Sequence, residues 1–165
     1  TPPEGTEKLL EDIALVSDAG TPGISDPGYV LIKSAIENGI PVSPIPGPSA
    51  VITAIVASGL PSHRFLYLGF LPLKKGRKTL IESLKECKYT VVFYEAPHRI
   101  QRTLQQFFEI LGDRQIAICR EMTKMFEEVF RGSLSEAIKH FEKNKPRGEF
   151  TVVLGSEALN PDIIE

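Results

Sequence analysis

The sequence is short of the residues that announce metal, redox or phosphate-cradle chemistry. Its 165 residues include two cysteines and three histidines. Cys87 and Cys119 form no CxxC pair, and their apolar or helical surroundings predict reduced, buried thiols, as in a cytoplasmic protein. His63, His98 and His140 lie far apart, so no metal site is expected. No Gly-Lys-Ser/Thr phosphate loop occurs. Apolar runs of membrane-spanning length and a signal-peptide pattern are also missing, so no membrane association is expected. Nor is there an excess of positive charge. With 19 basic and 21 acidic residues the formal net charge is −2, so a nucleic-acid partner would have to be met by a local patch.

What is present is an apolar fraction of 42%, enough for a real core in one full domain or two small ones. The most informative stretch is Val16-Ser17-Asp18-Ala19-Gly20-Thr21-Pro22-Gly23-Ile24-Ser25-Asp26-Pro27-Gly28. It lies between an apolar run at 13–16 and a helix-like run from Tyr29, as a loop at a strand's carboxyl end would, where α/β sheets bind ligands. Its glycines permit close backbone approach and its prolines fix the path. Asp18 and Asp26 offer carboxylates to amine or hydroxyl donors and would repel phosphate, so a ligand with a positive charge or a ribose suits the loop. Asp26 also reads as a helix N-cap, with Pro27 as the first helical residue.

In chain order, residues 4–11 read as the end of a helix, 13–17 as a buried strand, and 29–37 as a helix closed by Asn38-Gly39. A second strand is expected at 42–45, followed by the loop Pro46-Gly47-Pro48-Ser49-Ala50 and a small apolar helix over 49–58 capped by Gly59. This unit implies parallel pairing with a right-handed crossover. Beyond Leu60-Pro61-Ser62-His63-Arg64 the pattern changes. Strands are expected at 65–70, 89–94, 115–119, 127–131 and 149–154. Helices are expected from the basic turn at 73–78 to about 87, from Pro97 to Gly112, and behind the capping box Ser133-Leu134-Ser135-Glu136 to about 143. These make a mixed-sheet α/β domain. The expected division is 1–60 for a first α/β domain, 61–65 for a linker and 66–165 for the second domain.

Several ordered stretches carry a resemblance. They are Ser17-Asp18-Ala19-Gly20-Thr21-Pro22 with Asp26-Pro27-Gly28, Pro46-Gly47-Pro48-Ser49-Ala50, Gly69-Phe70-Leu71-Pro72, Tyr94-Glu95-Ala96-Pro97-His98-Arg99, Arg120-Glu121-Met122-Thr123-Lys124, and Gly148-Glu149-Phe150-Thr151. Over most of the chain the sequence resembles the tetrapyrrole-methylase-like methyltransferases, which bind S-adenosylmethionine between two α/β domains. Within that class it is most similar to the branch that methylates the 2′ oxygen of a cytidine ribose in 16S ribosomal RNA. The family opens with a strand and a Gly-containing loop that this sequence does not contain, so its N-terminal domain is expected to be incomplete, and some residues after Gly155 are missing as well.

The resemblance implies a two-domain α/β fold, S-adenosylmethionine as cofactor, a homodimer, and 16S ribosomal RNA or the small ribosomal subunit as partner. It implies that Asp18, Ala19, Gly20 and Thr21 line the cofactor cleft. Pro48, Ser49 and Ala50 would approach it from the second loop, and Gly148 and Glu149 would close it. Ser49 has a competing role as a plain first-turn residue.

The methyl of a sulfonium is already activated, so transfer needs chiefly alignment and exclusion of water, while a ribose hydroxyl benefits from a nearby base. Glu95 and Arg99 are the catalytic candidates, although Glu95 also reads as a carboxylate favoured by a helix N-terminus. RNA contact is expected at Lys74, Lys75, Arg77, Lys78, Arg102 and Lys124, where clustered cations meet phosphates or simply form a solvated face. Tyr94 would either stack on a base or pack. Two other functions compete: a methylase acting on a tetrapyrrole or other small molecule, and a non-catalytic module that holds cofactor or dimerises.

Overall fold

The computed structural model describes residues 13–156. The helix end expected at 4–11 lies outside them. The described residues form helix α1 (Tyr29–Glu37), α2 (Ala50–Ser58), strand β1 (Phe65–Phe70), α3 (Arg77–Ser83), β2 (Thr90–Glu95), α4 (Ile100–Leu111), β3 (Gln115–Arg120), β4 (Glu128–Ser133), α5 (Leu134–Lys143) and β5 (Phe150–Leu154). Two compact units divide between Pro48 and Ser49. That division precedes the linker expected at 61–65, and α2 belongs with the sheet.

The second unit is built on a five-stranded sheet in the order β1-β2-β5-β3-β4. β1 and β2 are parallel, joined through α3, and the pairs β2/β5, β5/β3 and β3/β4 are antiparallel. This is the mixed sheet that the sequence predicts. Period-two alternation sends Val91, Phe93, Ile116, Ile118, Phe150, Val152 and Leu154 to one face, where they pack with Ile81, Ile100, Leu104, Phe107, Leu134 and Phe141 from α3, α4 and α5. The opposite face presents smaller residues, Val92, Ala117, Cys119 and Val153. Against them lie Val51, Ala54 and Ile55 of α2. Small residues on both sides let this helix sit close to the sheet.

Local signals set the helix ends. Ser49 caps α2 through its hydroxyl and Gly59 ends it in the left-handed region at φ 72°. Ser133 and Glu136 form the reciprocal capping box of α5. α3 stops at Ser83, short of the expected end near 87, and the chain turns with the Cys87 N–H on the Leu84 carbonyl.

The first unit contains α1 and extended chain. Neither 13–17 nor 42–45 forms a strand, which corrects the expected parallel unit. A strand exists only through a partner's ladder, and neither run pairs with another described residue; Ile13, Val16 and Ile45 stand 68%, 80% and 82% exposed. α1 begins at Tyr29 behind Gly28, so Asp26 and Pro27 are not its cap and first residue. Gly28 holds φ 144°, and a Cβ there would stand 3.0 Å from the Leu15 side chain.

Candidate functional site

The register places four separate motif stretches at one edge of the sheet. Phe70 pairs with Tyr94, Glu95 with Phe150, and Arg120 with both Phe150 and Glu128. The carboxyl ends of β1, β2 and β3 therefore lie in a row with the starts of β4 and β5. Gly69 to Pro72, Tyr94 to Arg99, Arg120 to Lys124 and Gly148 to Thr151 all emerge there. Ligands of α/β sheets bind outside strand carboxyl ends.

Glu95, 1% exposed, is the hub of this edge. Its Oε1 accepts from the Ala96 N–H at 3.0 Å and meets Arg99 Nε at 3.0 Å. Its Oε2 accepts from the Thr103 hydroxyl at 2.6 Å and lies 3.7 Å from Arg77 Nη2. Arg77 is itself 5% exposed. It donates to Gln106 Oε1 at 2.8 Å, to the Pro72 carbonyl at 3.1 Å and to Thr103 Oγ1 at 2.6 Å. Burial lowers the pKa of its guanidinium from the ordinary value, with the Glu95 charge opposing that shift. Arg99 Nη2 reaches the Leu71 carbonyl at 2.7 Å.

This cluster bears on two expectations. Arg77, expected at an RNA contact, is buried with its donors used inside the protein. Glu95 is enclosed by donors on both oxygens, so it anchors the Leu71-Pro72 turn and the start of α4. Thr103 and Gln106, which the sequence did not single out, complete the cluster.

A second carboxylate fixes the loop 121–127. Glu121 Oε1 accepts from the Glu149 N–H at 2.8 Å, and the Glu121 N–H donates to the Glu149 carbonyl at 3.0 Å. Lys124 Nζ bridges Glu149 Oε2 at 2.9 Å and Glu121 Oε1 at 3.3 Å. Glu121 and Thr123 adopt positive φ, 46° and 65°. Such backbone costs of order 1 kcal/mol or more per residue and persists only where its surroundings enforce it. Gly148, at φ 79°, leaves room for the Glu121 side chain, whose Cγ would meet a Cβ there at 2.5 Å. The Glu149 N–H depresses the pKa of Glu121, and hydrogen bonds to Glu149 and Glu121 raise that of Lys124. Lys124 therefore serves as a clamp between two carboxylates, a role its expected RNA contact did not include.

The remaining expected residues sort by exposure. Lys74, Lys75, Lys78 and Arg102 are exposed, with Lys78 3.7 Å from Glu82. Tyr94 packs edge-on against Tyr67 and tilted against Phe70, with centroids 5.6 and 5.4 Å away. Ser49 accepts from the Ile52 N–H as the cap of α2, and Ala50 opens that helix. In the first unit Asp18, Ala19, Gly20, Thr21 and Pro48 are exposed. Gly20 takes φ 78° with open space around its Cβ position. Among the described residues no group of three or more His, Cys, Asp or Glu could hold a metal ion, and no helix is long and apolar enough to cross a membrane.

Comparison with known proteins agrees with this architecture. The chain is 52% identical over 145 residues to a ribosomal RNA small subunit methyltransferase I of Thermotoga maritima, covering 88% of the chain and 65% of that protein. Proteins of the same name from Halalkalibacterium halodurans and Bacillus subtilis are 50% and 48% identical over 94% and 89% of the chain, which spans 57% and 51% of their lengths. The chain thus covers between about half and two thirds of these relatives. Among solved structures, the methyltransferase CobJ superposes with a TM-score of 0.60 at 21% identity, over 84% of this chain and 62% of that one. A uroporphyrin-III C-methyl transferase from Thermus thermophilus, complexed with S-adenyl homocysteine, superposes at 0.55 and 20%, over 82% and 62%. These two likenesses concern the fold alone. The family model of the Tetrapyrrole (Corrin/Porphyrin) Methylases matches residues 6–138, and the chain belongs to that family.

Proposed function

We propose that the protein carrying this chain is an S-adenosylmethionine-dependent methyltransferase that modifies the 2′ oxygen of a cytidine ribose in 16S ribosomal RNA. The observation that carries this reading is the identity of 48 to 52% with proteins named ribosomal RNA small subunit methyltransferase I. By the family resemblance we assign residues 1–60 to the cofactor-binding domain, although α2 at 50–58 packs on the sheet of the second unit, and 66–165 to the second domain, in a cytoplasmic homodimer that takes the small ribosomal subunit as substrate.

The residues present fit the cofactor. Asp18 is an exposed carboxylate beside a left-handed glycine with open space, suited to an amine or a ribose hydroxyl. S-adenosylmethionine, when bound, supplies a methyl already activated by its sulfonium. The protein's task is then alignment and exclusion of water. Asp18, Ala19, Gly20, Thr21, Pro48, Ser49 and Ala50 hold the cofactor in this reading, and Gly148 and Glu149 are assigned to closing its cleft. Arg99 is held at Nε by Glu95 and at Nη2 by Leu71, which fixes its guanidinium for a substrate phosphate or hydroxyl.

The test is methyl transfer from labelled S-adenosylmethionine to small ribosomal subunits, with the product digested to nucleosides. Label in 2′-O-methylcytidine is expected. Label in a tetrapyrrole but not in RNA would move the activity to the small-molecule branch. Cofactor binding without transfer by the whole protein would leave only a binding module.

A further inference from the structure

Just beyond the clamp formed by Glu121, Lys124 and Glu149, the loop 121–127 holds Met125 at 90% and Phe126 at 65% exposure. Two large apolar side chains standing in water on a backbone with two non-glycine residues at positive φ are held there by built interactions. Glu121 pairs with Glu149, Lys124 bridges both carboxylates, and the Thr123 N–H donates to Glu127 Oε2 at 2.6 Å. Beside the loop runs Lys143-Asn144-Lys145-Pro146-Arg147. Arg120, the residue preceding the loop, ties this segment down by donating from Nε to the Arg147 carbonyl at 2.8 Å. The neighbouring carboxylates Glu121, Glu149, Glu127 and Glu128 are already engaged, by Lys124, by the Thr123 N–H, and by Arg120 and His140. Lys145 and Arg147 are exposed, and neither joins an ion pair with another described residue. Single-stranded RNA is held by such a combination, an aromatic platform for a base with cations alongside for the backbone.

We propose that the loop 121–127 is a single-stranded RNA contact in which Phe126 stacks on an unpaired base while Lys145 and Arg147 meet flanking phosphates. This rests on the RNA methyltransferase reading and deepens it, since it assigns substrate contact to residues outside the basic turn at 73–78. Phe126 is a substrate-positioning residue, and Glu121 and Lys124 act through it.

The experiment measures binding of a short, labelled, single-stranded RNA of mixed sequence by fluorescence anisotropy across a salt series. S-adenosylhomocysteine binding and methyl transfer to small subunits are followed in parallel. Phe126→Ala is expected to weaken RNA binding roughly 5- to 100-fold, the range of one lost base stack, with S-adenosylhomocysteine binding unchanged. Phe126→Trp restores it and Phe126→Leu does not. Lys145→Ala and Arg147→Ala each lower the slope of log affinity against log salt by about 0.7, whereas Phe126→Ala leaves that slope unaltered. Unchanged RNA binding by Phe126→Ala, or full rescue by Leu, overturns the inference. So does binding to intact subunits without binding to the free RNA, which would assign the tip to a protein surface. RNA binding that depends on Phe126 without any methyl transfer would sink the enzyme reading and leave this inference standing. Methyl transfer with a KM indifferent to Phe126 would do the reverse.

Discussion

Glu95→Ala is the perturbation that tests the buried cluster most directly. The substitution leaves Arg77, whose side chain is 6% exposed, and Arg99, at 17%, facing a space without their anion. Removing one partner of a buried pair costs about 3 to 5 kcal/mol, because the other charge stays in a medium that does not solvate it. For a folded unit of about 100 residues that amounts to a fall in Tm of roughly 12 to 20 °C, a large part of an ordinary domain stability of about 5 to 15 kcal/mol. Glu95→Gln keeps an acceptor for the Ala96 N–H and Arg99 Nε, but turns an amide toward the donors of Thr103 and Arg77, so its loss should be intermediate. Urea unfolding followed by circular dichroism, with thermal melts alongside, measures both. The double variant Arg77→Ala/Glu95→Ala should lose less than the sum of the single variants, since the second change removes the charge that the first one stranded. A Glu95→Ala cost below about 1 kcal/mol, or strict additivity, would refute the reasoning by showing that water reaches the cluster.

Other expectations follow from the same geometry. Phe93→Ala removes a fully buried ring that packs 5.2 Å from Phe107, and a loss of about 3 to 5 kcal/mol should appear in the same urea titration. Gly148→Ala combines a positive φ with a Cβ set into the Glu121 side chain, so the Glu149 amide should exchange its hydrogen faster than in the parent protein. The Glu121 pKa is lowered in the fold, so its stabilisation is present above its ordinary value near 4.5 and is lost as pH falls through the lower folded value. The Lys124 pKa is raised, so its contribution is full below the ordinary 10.5 and is lost as pH rises through the higher folded value. Exchange of the Glu149 amide, corrected for intrinsic rate, should therefore show protection across neutral pH that weakens in acid, and flat protection down through the acid range would refute the clamp. Cys119 is 1% exposed with its thiol pushed up to about 11 by burial, so a disulfide reagent at pH 8 should modify the half-buried Cys87 first and leave Cys119 intact until unfolding.

Much of the sheet unit was legible because its signals are local. The β-branched and aromatic run before Glu95, the Ser133 to Glu136 capping box, and Gly59 and Gly112 each act on neighbours a few residues away. The two strands expected at 13–17 and 42–45 failed because an apolar run becomes a strand only when another strand pairs with it, and that partner is never written in the run itself. Composition alone places Arg77 among the surface cations, although the sequence carries a signal against this. Arg77, Ile81 and Leu84 follow the i, i+4, i+7 spacing of one helix face, and all three are buried. Thr103 is similar: it lies between Ile100 and Leu104 on the face of α4 that continues to Phe107 and Leu111. By contrast, the Lys124 to Glu149 bridge joins residues 25 apart in sequence, and no local pattern announces it.

The two carboxylate devices also constrain how this protein can hold a polyanion. Arg77 is committed to Glu95, Thr103 and Gln106, and Lys124 to Glu121 and Glu149, so neither supplies free positive charge. The chain's formal charge of −2 gives no long-range attraction to RNA. Under the proposed RNA reading, phosphate affinity comes from exposed cations such as Lys74, Lys75 and Arg102 near the basic turn and Lys145 and Arg147 before β5. Few contacts of this kind give a shallow salt dependence and modest non-specific binding. Discrimination, in that reading, comes instead from groups held rigidly at the sheet edge. Arg99 is fixed there by Glu95, and the loop that carries Phe126 by the Glu121 to Glu149 pair, so under the proposed RNA reading the two anchoring carboxylates set the shape of the edge that meets RNA.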